Sequence, residues 1–314
     1  KRLAVFTGGF DYEALENMCC FDIEVAYDAI ESLLTKKFFK KDTEVNGLPR
    51  FKMLDLLHKY SYELFEISGE SDIVTLKLTE YYCEKIKKDS AEYSGAVEAK
   101  VNSEWMTDIQ NVMKALETLN SEKRYIELIE MIYSLWPLFW IFDNNKNLEG
   151  RVDLNSIYQN PKELSDEMNA KQSWLKGSAA METGDLEKAN LNFNDAYKYF
   201  TITNNLRGLA WSNLIVSSIK NNNEILKNSD EILNAFNVSA ELFRKCRDFW
   251  GESVAMQYIG TFEMERGNFD DAIAAFNDSI KLVKGMGSES LIGYIFSLKA
   301  LAYMEKEDFE KAGE

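Results

Sequence analysis

Histidine, proline and cysteine are scarce in this sequence, with one, three and four occurrences in 314 residues. The cysteines, at positions 19, 20, 83 and 246, match neither a zinc-site spacing nor a C-x-x-C redox motif. We therefore expect reduced thiols in a cytoplasmic protein. Few prolines also favour helices, because proline removes a backbone donor and kinks or breaks a helix.

Catalytic and membrane motifs are absent too. The sequence has no phosphate-binding G-x-x-x-x-G-K-[ST], no G-x-S-x-G and no H-E-x-x-H. Its carboxylates are scattered, and the Asp270–Asp271 pair falls in a repeat turn. The longest apolar run, residues 131–142, is too short to span a bilayer and contains Pro137. We expect no enzyme, no metal, no cofactor and no membrane span in this chain.

The composition is globular and acidic. Apolar residues make up 46% of the chain, and 52 acidic against 36 basic side chains give a formal charge of −16. Such a surface repels phosphate backbones and anionic membranes, so nucleic acid is an improbable partner. Abundant Ala, Leu, Glu and Lys favour a mainly α fold.

Residues 1–70 form the first of three segments. Asp11 is a helix-cap candidate, residues 22–37 repeat apolar side chains at helical spacing, and Asn46–Gly47 signals a hairpin turn. A further helix follows and ends near Gly69. This order of helix, helix, hairpin and helix predicts a winged-helix domain. Residues 71–163 are helical with few breaks and predict a helical linker.

Residues 164–314 repeat themselves. Residues 177–196 align without a gap with residues 260–279, an offset of 83 residues, or twice about 41. Ungapped self-similarity of this kind is typical of repeat architectures. The repeat-defining positions are Gly177, Gly184, Ala189, Phe193 and Ala196 in one copy, Gly260, Gly267, Ala272 and Phe276 in another, and Ala300 and Ala312 in a fourth.

These copies resemble tetratricopeptide (TPR) units, whose small, Ala, Phe and Ala positions follow at steps of twelve, four and three, as from Gly177 to Ala196. The unit here is about 40 to 43 residues long, against ~34 in the family. The resemblance implies an α-solenoid of about four helix pairs, the last one truncated. Its concave face would bind a protein, a peptide or a small-molecule inducer.

The first segment, "RLAVFTGGFDYEALENMCCFDIEVAYDAIESLLTKKFF", resembles the winged helix of signal-transduction ATPases with numerous domains (STAND), especially LuxR-type and cyclase-linked regulators. Within residues 104–159, "EWMTDIQNVMKALETL" and Glu149-Gly150-Arg151 resemble their helical linker. The resemblance implies that ATP or ADP binds an upstream module. Because the chain starts at Lys1 and stops inside a helix pair, we expect a fragment of a longer protein.

The lone histidine, His58, lies just after the position of a nucleotide-sensing Met-His-Asp motif in that broader class. Here the matching residues are Met53, Leu54 and Asp55, and leucine cannot hydrogen-bond a phosphate. We expect Asp55 to cap the following helix and His58 to lie at the edge of its apolar stripe. The functional alternative for Asp55 and His58 is contact with the upstream nucleotide module.

A local basic cluster surrounds the predicted hairpin. Its members are Lys36, Lys37, Lys40, Lys41, Arg50 and Lys52. A DNA-binding wing has this composition, but the overall charge favours a solvated or docking face. Trp211 and Trp250 are either groove-lining or core side chains, and core is the usual place for aromatic residues.

Three hypotheses follow. The first is a non-catalytic regulatory and sensing segment of a STAND-type ATPase or transcription regulator, whose winged helix docks on an upstream nucleotide-binding module while the repeats receive the signal. The second is a winged-helix transcription factor that binds DNA directly. The third is a plain TPR scaffold.

Overall fold

The computed structural model of the chain describes residues 1–18, 23–42, 44, 47–92, 96–141, 152, 154–159, 163–222, 229–284 and 289–312. The linker residues Glu149, Gly150 and Arg151 lie outside the described residues. The chain divides into two compact units, residues 1–92 with 100–161 and residues 162–314 with 93–99. The first unit thus contains almost all of the two segments that the sequence separates at residue 70.

The first unit is helical apart from a short hairpin. After a 3-10 helix at Arg2–Val5, its elements are α1 (Tyr12–Met18), α2 (Ile23–Thr35), β1 (Phe39–Lys41), β2 (Phe51–Met53), α3 (Asp55–Glu66), α4 (Ser71–Glu92), α5 (Ala96–Ser121, from residue 100 onward), α6 (Tyr125–Ile141) and α7 (Leu154–Gln159). The predicted order of helix, helix, hairpin and helix is present in α1 to α3. This order alone does not make the segment a winged-helix domain, which stays a prediction.

Strand β2 pairs on both of its edges. It runs antiparallel to β1, with Phe39 opposite Met53. On the other side Phe10 and Phe51 exchange N–H···O bonds of 2.9 and 2.8 Å. Gly9, at φ +82°, permits this approach, because a Cβ there would lie 2.8 Å from the Phe51 carbonyl oxygen. The rings of Phe10, Phe39 and Phe51 then form the core beneath the hairpin.

The second unit is an array of antiparallel helix pairs. Its elements are α8 (Asp166–Glu182), α9 (Leu186–Ile202), α10 (Leu206–Asn221), α11 (Asp230–Cys246), α12 (Phe249–Glu265), α13 (Phe269–Lys284), α14 (Glu289–Glu305) and α15 (Phe309–Ala312). The turns within the pairs contain Gly184 and Gly267, whose φ angles of +76° and +80° suit glycine. The predictions of a mainly α fold and of helix pairs that form an α-solenoid agree with this structure.

Glycine and phenylalanine set the spacing inside each pair. A Cβ added to Gly177 would lie 3.0 Å from the Phe193 ring, and one added to Gly260 would lie 2.5 Å from the Phe276 ring. Ala189, Ala196 and Ala272 are fully buried in the same pairs. The repeat positions found in the sequence are therefore the places where the two helices of a pair approach closely.

A second glycine–phenylalanine series joins one pair to the next. A Cβ on Gly208 would lie 2.5 Å from the Phe200 ring, and one on Gly251 would lie 2.4 Å from the Phe243 ring. Phe243 and Gly251 follow Phe200 and Gly208 by 43 residues each. This second series was not predicted from the sequence, although the repeated Phe-x₇-Gly spacing could have indicated it.

Candidate interaction surfaces

His58 has a structural contact. Its Nε2 lies 3.0 Å from the carbonyl oxygen of Phe6, to which it donates as the Nε2–H tautomer, and its ring stacks on Tyr62. The bond ties α3 to the segment that follows the 3-10 helix. This contact gives His58 a structural role, and its half-buried position accords with the edge of the apolar stripe.

Asp55 does not cap α3. The cap position is Leu54, one residue earlier, and no side chain caps the helix there. The predicted cap was therefore wrong: Asp55 is the first helical residue, and its exposed carboxylate interacts favourably with the helix N-terminus through the macrodipole. Leu54 is 41% exposed.

The outer face of α3 carries apolar side chains. Leu56 is 82% exposed and Tyr60 is 60% exposed, and the two lie one turn apart on the same face. Ile67, just after the helix, is 81% exposed. Adjacent exposed apolar side chains of this size mark interaction sites more often than isolated ones do. Sequence reasoning assigned the inward stripe of α3 and overlooked this outward one.

The predicted basic cluster divides in two. Lys36, Lys37, Lys40 and Lys41 are exposed and Lys52 is half-buried, all around the hairpin. Arg50 is 4% exposed and cannot belong to a surface cluster. Its Nη2 donates to Asp108 Oδ1 at 2.6 Å, and Asp11 lies 3.9 Å away. Burial opposes its charge, but Asp108 outweighs burial and raises the pKa of Arg50.

Helix α2 is acidic where a DNA-reading helix is basic. In a helix-turn-helix the second helix enters the major groove, and α2 is the helix that would hold that place in the predicted winged-helix domain. Its exposed side chains include Glu24, Asp28 and Glu31, and no lysine or arginine lies within it. These carboxylates would repel DNA phosphates, so the surface lysines have no basic recognition helix beside them.

Asn111, buried in α5, holds the Thr7-Gly8-Gly9 turn. Its Oδ1 accepts from the backbone N–H groups of Thr7 and Gly8 at 2.9 and 3.1 Å. Its Nδ2 donates to the Gly9 carbonyl at 2.8 Å and to the Tyr82 hydroxyl at 3.0 Å. One side chain thus satisfies the turn, and no local pattern in the sequence signals this long-range contact.

A cavity of about 30 Å³ lies where α1, the loop before β2, α4 and α5 meet. It is lined by Asp11, Glu13, Leu48, Arg50, Lys85, Glu104 and Asp108. Lys85 Nζ pairs with Glu104 at 3.3 Å and with Asp89 at 3.6 Å, so both cations of the lining are engaged in ion pairs. Among the described residues no group of three or more His, Cys, Asp or Glu side chains could hold a metal ion.

The tryptophans of the repeats belong to the core. Trp211 and Trp250 are 1% and 4% exposed, and their ring centroids lie 4.8 Å apart. They join α10 to α12, and α12 is buried on nearly every side. Among the described helices that come first in a pair, α14 has the most extensive exposed apolar surface. Its exposed apolar side chains are Tyr294, Phe296, Leu301 and Met304. None of the described helices is both long enough and apolar enough to cross a bilayer.

Comparison with known proteins gives a fold and no family. No protein-family model matches the sequence, and no curated protein matches it. The structure is similar to that of a STAND protein with a tetratricopeptide repeat sensor from Pyrococcus horikoshii, at 17% identity and a TM-score of 0.57. The match covers 99% of this chain and 47% of that one, so the chain spans about half its length.

A weaker likeness is to BtubC from P. vanneervenii, at 13% identity and a TM-score of 0.46 over 74% of this chain and 87% of that one. The likeness to the STAND protein extends over both compact units. At this identity it shows a shared fold that covers essentially the whole chain.

Proposed function

We propose that the chain is the regulatory and signal-sensing part of a STAND-type signalling ATPase or transcription regulator and has no catalytic role of its own. One observation carries the proposal: the fold of a STAND protein with a TPR sensor extends over 99% of the chain. The order of the segments in the sequence supports it independently.

The first unit would dock on an upstream nucleotide-binding module that holds ATP or ADP. The exposed apolar face of α3, with Leu56 and Tyr60, supports a docking role, because solvent-exposed leucine and tyrosine side chains gain free energy when a partner covers them. The exposed lysines around the hairpin would favour an acidic partner surface. His58 takes part only by holding α3 in place.

The repeats would receive a protein, peptide or small-molecule signal. A ligand that binds the open arrangement of the protein better than the closed one shifts the equilibrium toward the open arrangement. The nucleotide module, held closed by its contacts with the first unit, would then be released. The sensing part thus needs differential affinity for two arrangements and no chemistry of its own.

The test begins with the coding sequence upstream of Lys1. A P-loop motif within one domain length is expected, and its absence would reject the proposal. The upstream module is then produced separately and its affinity for this chain is measured by calorimetry in ADP and in ATP. Leu56→Glu and Tyr60→Glu should weaken binding roughly tenfold or more. Leu191→Glu is the matched control, because Leu191 is 61% exposed on α9, in the other unit.

A DNA-binding transcription factor is the second candidate, and the exposed lysines around the hairpin are the observation that favours it. A gel shift with the chain at micromolar concentration and physiological salt decides it, because non-specific DNA binding by a basic wing is detectable there. A retarded duplex band that disappears when Lys36, Lys37, Lys40 and Lys41 are replaced by glutamine would support this candidate.

A plain scaffold is the third candidate. It would be supported if neither nucleotide nor ligand changed protease cleavage between residues 60 and 165.

A further inference from the structure

We propose that the segment directly upstream of Lys1 folds as a helix along α3 and covers its exposed apolar face. The inference rests on the proposed function, which places a module upstream of Lys1, and it names the part of that module that α3 receives. Two features of the first unit carry it: the shape of this face, and the contacts that fix the start of the chain beside it.

The exposed face of α3 is a single stripe. Leu56, Tyr60 and Ile67 follow one another at steps of four and seven residues, which places all three side chains on one side of the helix. They are 82%, 60% and 81% exposed, and Ile67, the C-cap residue, keeps helical dihedrals. The stripe is about 16 Å long, because a helix rises ~1.5 Å per residue. Phe65 on the opposite side is fully buried, and apolar residues on two sides are typical of a helix that is covered on both.

The start of the chain is fixed at the Ile67 end of this stripe. The 3-10 helix packs on α3 and α4. Arg2 donates from Nε and Nη2 to the Glu70 carboxylate at 2.9 and 3.1 Å. Glu70 lies three residues after Ile67 and three before Ile73, which is 71% exposed on α4. A residue that precedes Lys1 therefore enters the molecule beside Ile67 and Ile73.

A second anchor holds the other end of the 3-10 helix. His58 Nε2 lies 3.0 Å from the Phe6 carbonyl oxygen and joins this segment to α3. Ala4 and Val5, between the two anchors in the chain, are fully buried. Packing thus sets the position of Lys1 relative to α3. The preceding segment begins close to the stripe, and this proximity gives it a high effective concentration there.

The size of the stripe fits one tethered helix. A standard interface between two free proteins buries about 800 Å² on each partner, which a row of three side chains does not provide. Helix α3 has no unpaired strand edge to offer, so its cover packs through side chains, as one helix does on another. Because the segment ends at Lys1, beside Ile67, it runs parallel to α3 with its first turn near Leu56. We expect apolar residues at steps of three and four over about 11 of its residues.

The test compares the 314-residue chain with the same chain extended by roughly 25 residues, or seven turns, of its own upstream coding sequence. Leu56→Cys and, separately, Ile67→Cys are labelled with a maleimide in both chains, and peptide mass spectrometry distinguishes these thiols from the native cysteines. Labelling should be roughly tenfold or more slower in the extended chain, because a covered thiol reacts only when the segment opens. Leu191→Cys is the matched control, an exposed position on α9 that should react equally in both chains.

A further variant separates packing on the stripe from general shielding. Tyr60 lies between the two probes, and Tyr60→Glu in the extended chain should restore the labelling of Leu56→Cys, because burial of the new carboxylate is unfavourable. Tyr60 is mostly exposed in the 314-residue chain, so the fold should tolerate the change, and far-UV circular dichroism verifies that.

Two outcomes would overturn the inference. They are equal labelling of Leu56→Cys in the two chains, and protection that the folded Tyr60→Glu variant leaves intact. Both are distinguishable from failure of the proposed function, which is tested by the P-loop farther upstream. A P-loop without protection would reject the inference alone, and protection without a P-loop would reject the proposed function alone.

Discussion

Arg50 and Asp108 decide how the hairpin is held in the first unit. Both are buried, at 4% and 3% exposed, and they join the loop before β2 to α5 through a contact of 2.6 Å. Removal of two charges from water is costly, so such a pair stabilises little by itself. Loss of one partner is a different matter, because the other charge remains buried without compensation.

The first prediction concerns this pair. Arg50→Met should lower the free energy of unfolding by about 3–5 kcal/mol, because it strands the Asp108 carboxylate. The double variant Arg50→Met/Asp108→Leu should recover most of that loss, because no buried charge remains. Urea unfolding followed by circular dichroism measures both. Lys41→Met, on the exposed part of β1, is the control and should change stability little. A double variant as unstable as Arg50→Met would contradict the explanation.

Gly9 provides the second prediction, with Gly47 as its matched control. Both have positive φ, +82° and +78°, so alanine is strained at either position by about 1–2 kcal/mol. Only at Gly9 does the new Cβ meet an atom, the Phe51 carbonyl oxygen at 2.8 Å. We therefore expect Gly9→Ala to destabilise clearly more than Gly47→Ala, because it also disturbs the two hydrogen bonds between Phe10 and Phe51. Equal losses of unfolding free energy for the two variants would show that the close approach of Gly9 to the Phe51 carbonyl oxygen does not contribute to stability.

At the scale of elements, the repeats are joined by caps that also reach across pairs. Asp248 Oδ1 caps α12 by accepting from the Gly251 N–H at 2.7 Å. Its Oδ2 accepts from Arg207 Nε at 2.8 Å and from Trp211 Nε1 at 3.3 Å, both in α10. Asn205 holds the equivalent position 43 residues earlier and caps α10 through the Gly208 N–H. The Asp248 carboxylate therefore both caps α12 and connects it to α10 of the preceding pair.

The third prediction compares these two caps. Asn205→Ala should cost about 1 kcal/mol, the usual value of a lost N-cap. Asp248→Ala should cost about 3 kcal/mol, because it also removes the charged acceptor of a partly buried Arg207. Asp248→Asn keeps the cap and loses the charge, so it should fall between the two. Thermal and urea unfolding of the three variants measure these differences. Similar losses of stability for Asn205→Ala and Asp248→Ala would show that the hydrogen bonds from α10 to Asp248 do not stabilise the repeats.

Periodicity and turn chemistry explain how much of these elements was predictable. Local spacing indicated α2, α3 and the pairs built on Gly177 and Gly260, because helical amphipathicity and small-residue spacing are visible within one element. The hairpin was also indicated, and its pairing continues beyond β1 and β2 towards the predicted turn, because the Asp42 N–H donates to the Arg50 carbonyl oxygen at 2.8 Å and Gly47 has a φ of +78°. Asn46 itself lies outside the described residues.

Contacts between distant elements were not predictable in the same way. In the sequence Arg50 belongs to a basic cluster, which suggests an exposed position. Its burial becomes apparent only from its contact with Asp108, which lies 58 residues further along the chain. Asn111 is one of several polar residues in its part of α5, beside Asp108, Gln110 and Lys114, and nothing there indicates the contact with the turn at residues 7–9. Such polar contacts depend on the tertiary arrangement of the chain, which local patterns in a single sequence do not indicate.

For the whole molecule, these contacts decide which stretch of chain can fold by itself. The sequence pattern separates residues 1–70 from the helices that follow, but the structure places both in one compact unit. Within the first 70 residues, the turn at residues 7–9 depends on Asn111 and the charge of Arg50 depends on Asp108, and both partners belong to α5. Without α4 and α5 the fragment would lose these hydrogen bonds, and the buried apolar side chains of the 3-10 helix and of α1, on which α4 packs, would face water.

We therefore predict that residues 1–70 alone do not fold, whereas residues 1–161 do. Each lost hydrogen bond costs about 0.5–1.5 kcal/mol and each apolar side chain left in water costs about 1.5–3 kcal/mol, which together approach the whole stability of a small domain, about 5–15 kcal/mol. Circular dichroism and urea unfolding of both fragments measure the difference: a cooperative transition is expected for residues 1–161 and a gradual loss of signal for residues 1–70. A cooperative transition in the shorter fragment would mean that α1, α2, the hairpin and α3 form an autonomous domain, and that the contacts with α5 orient that domain without being needed for its stability.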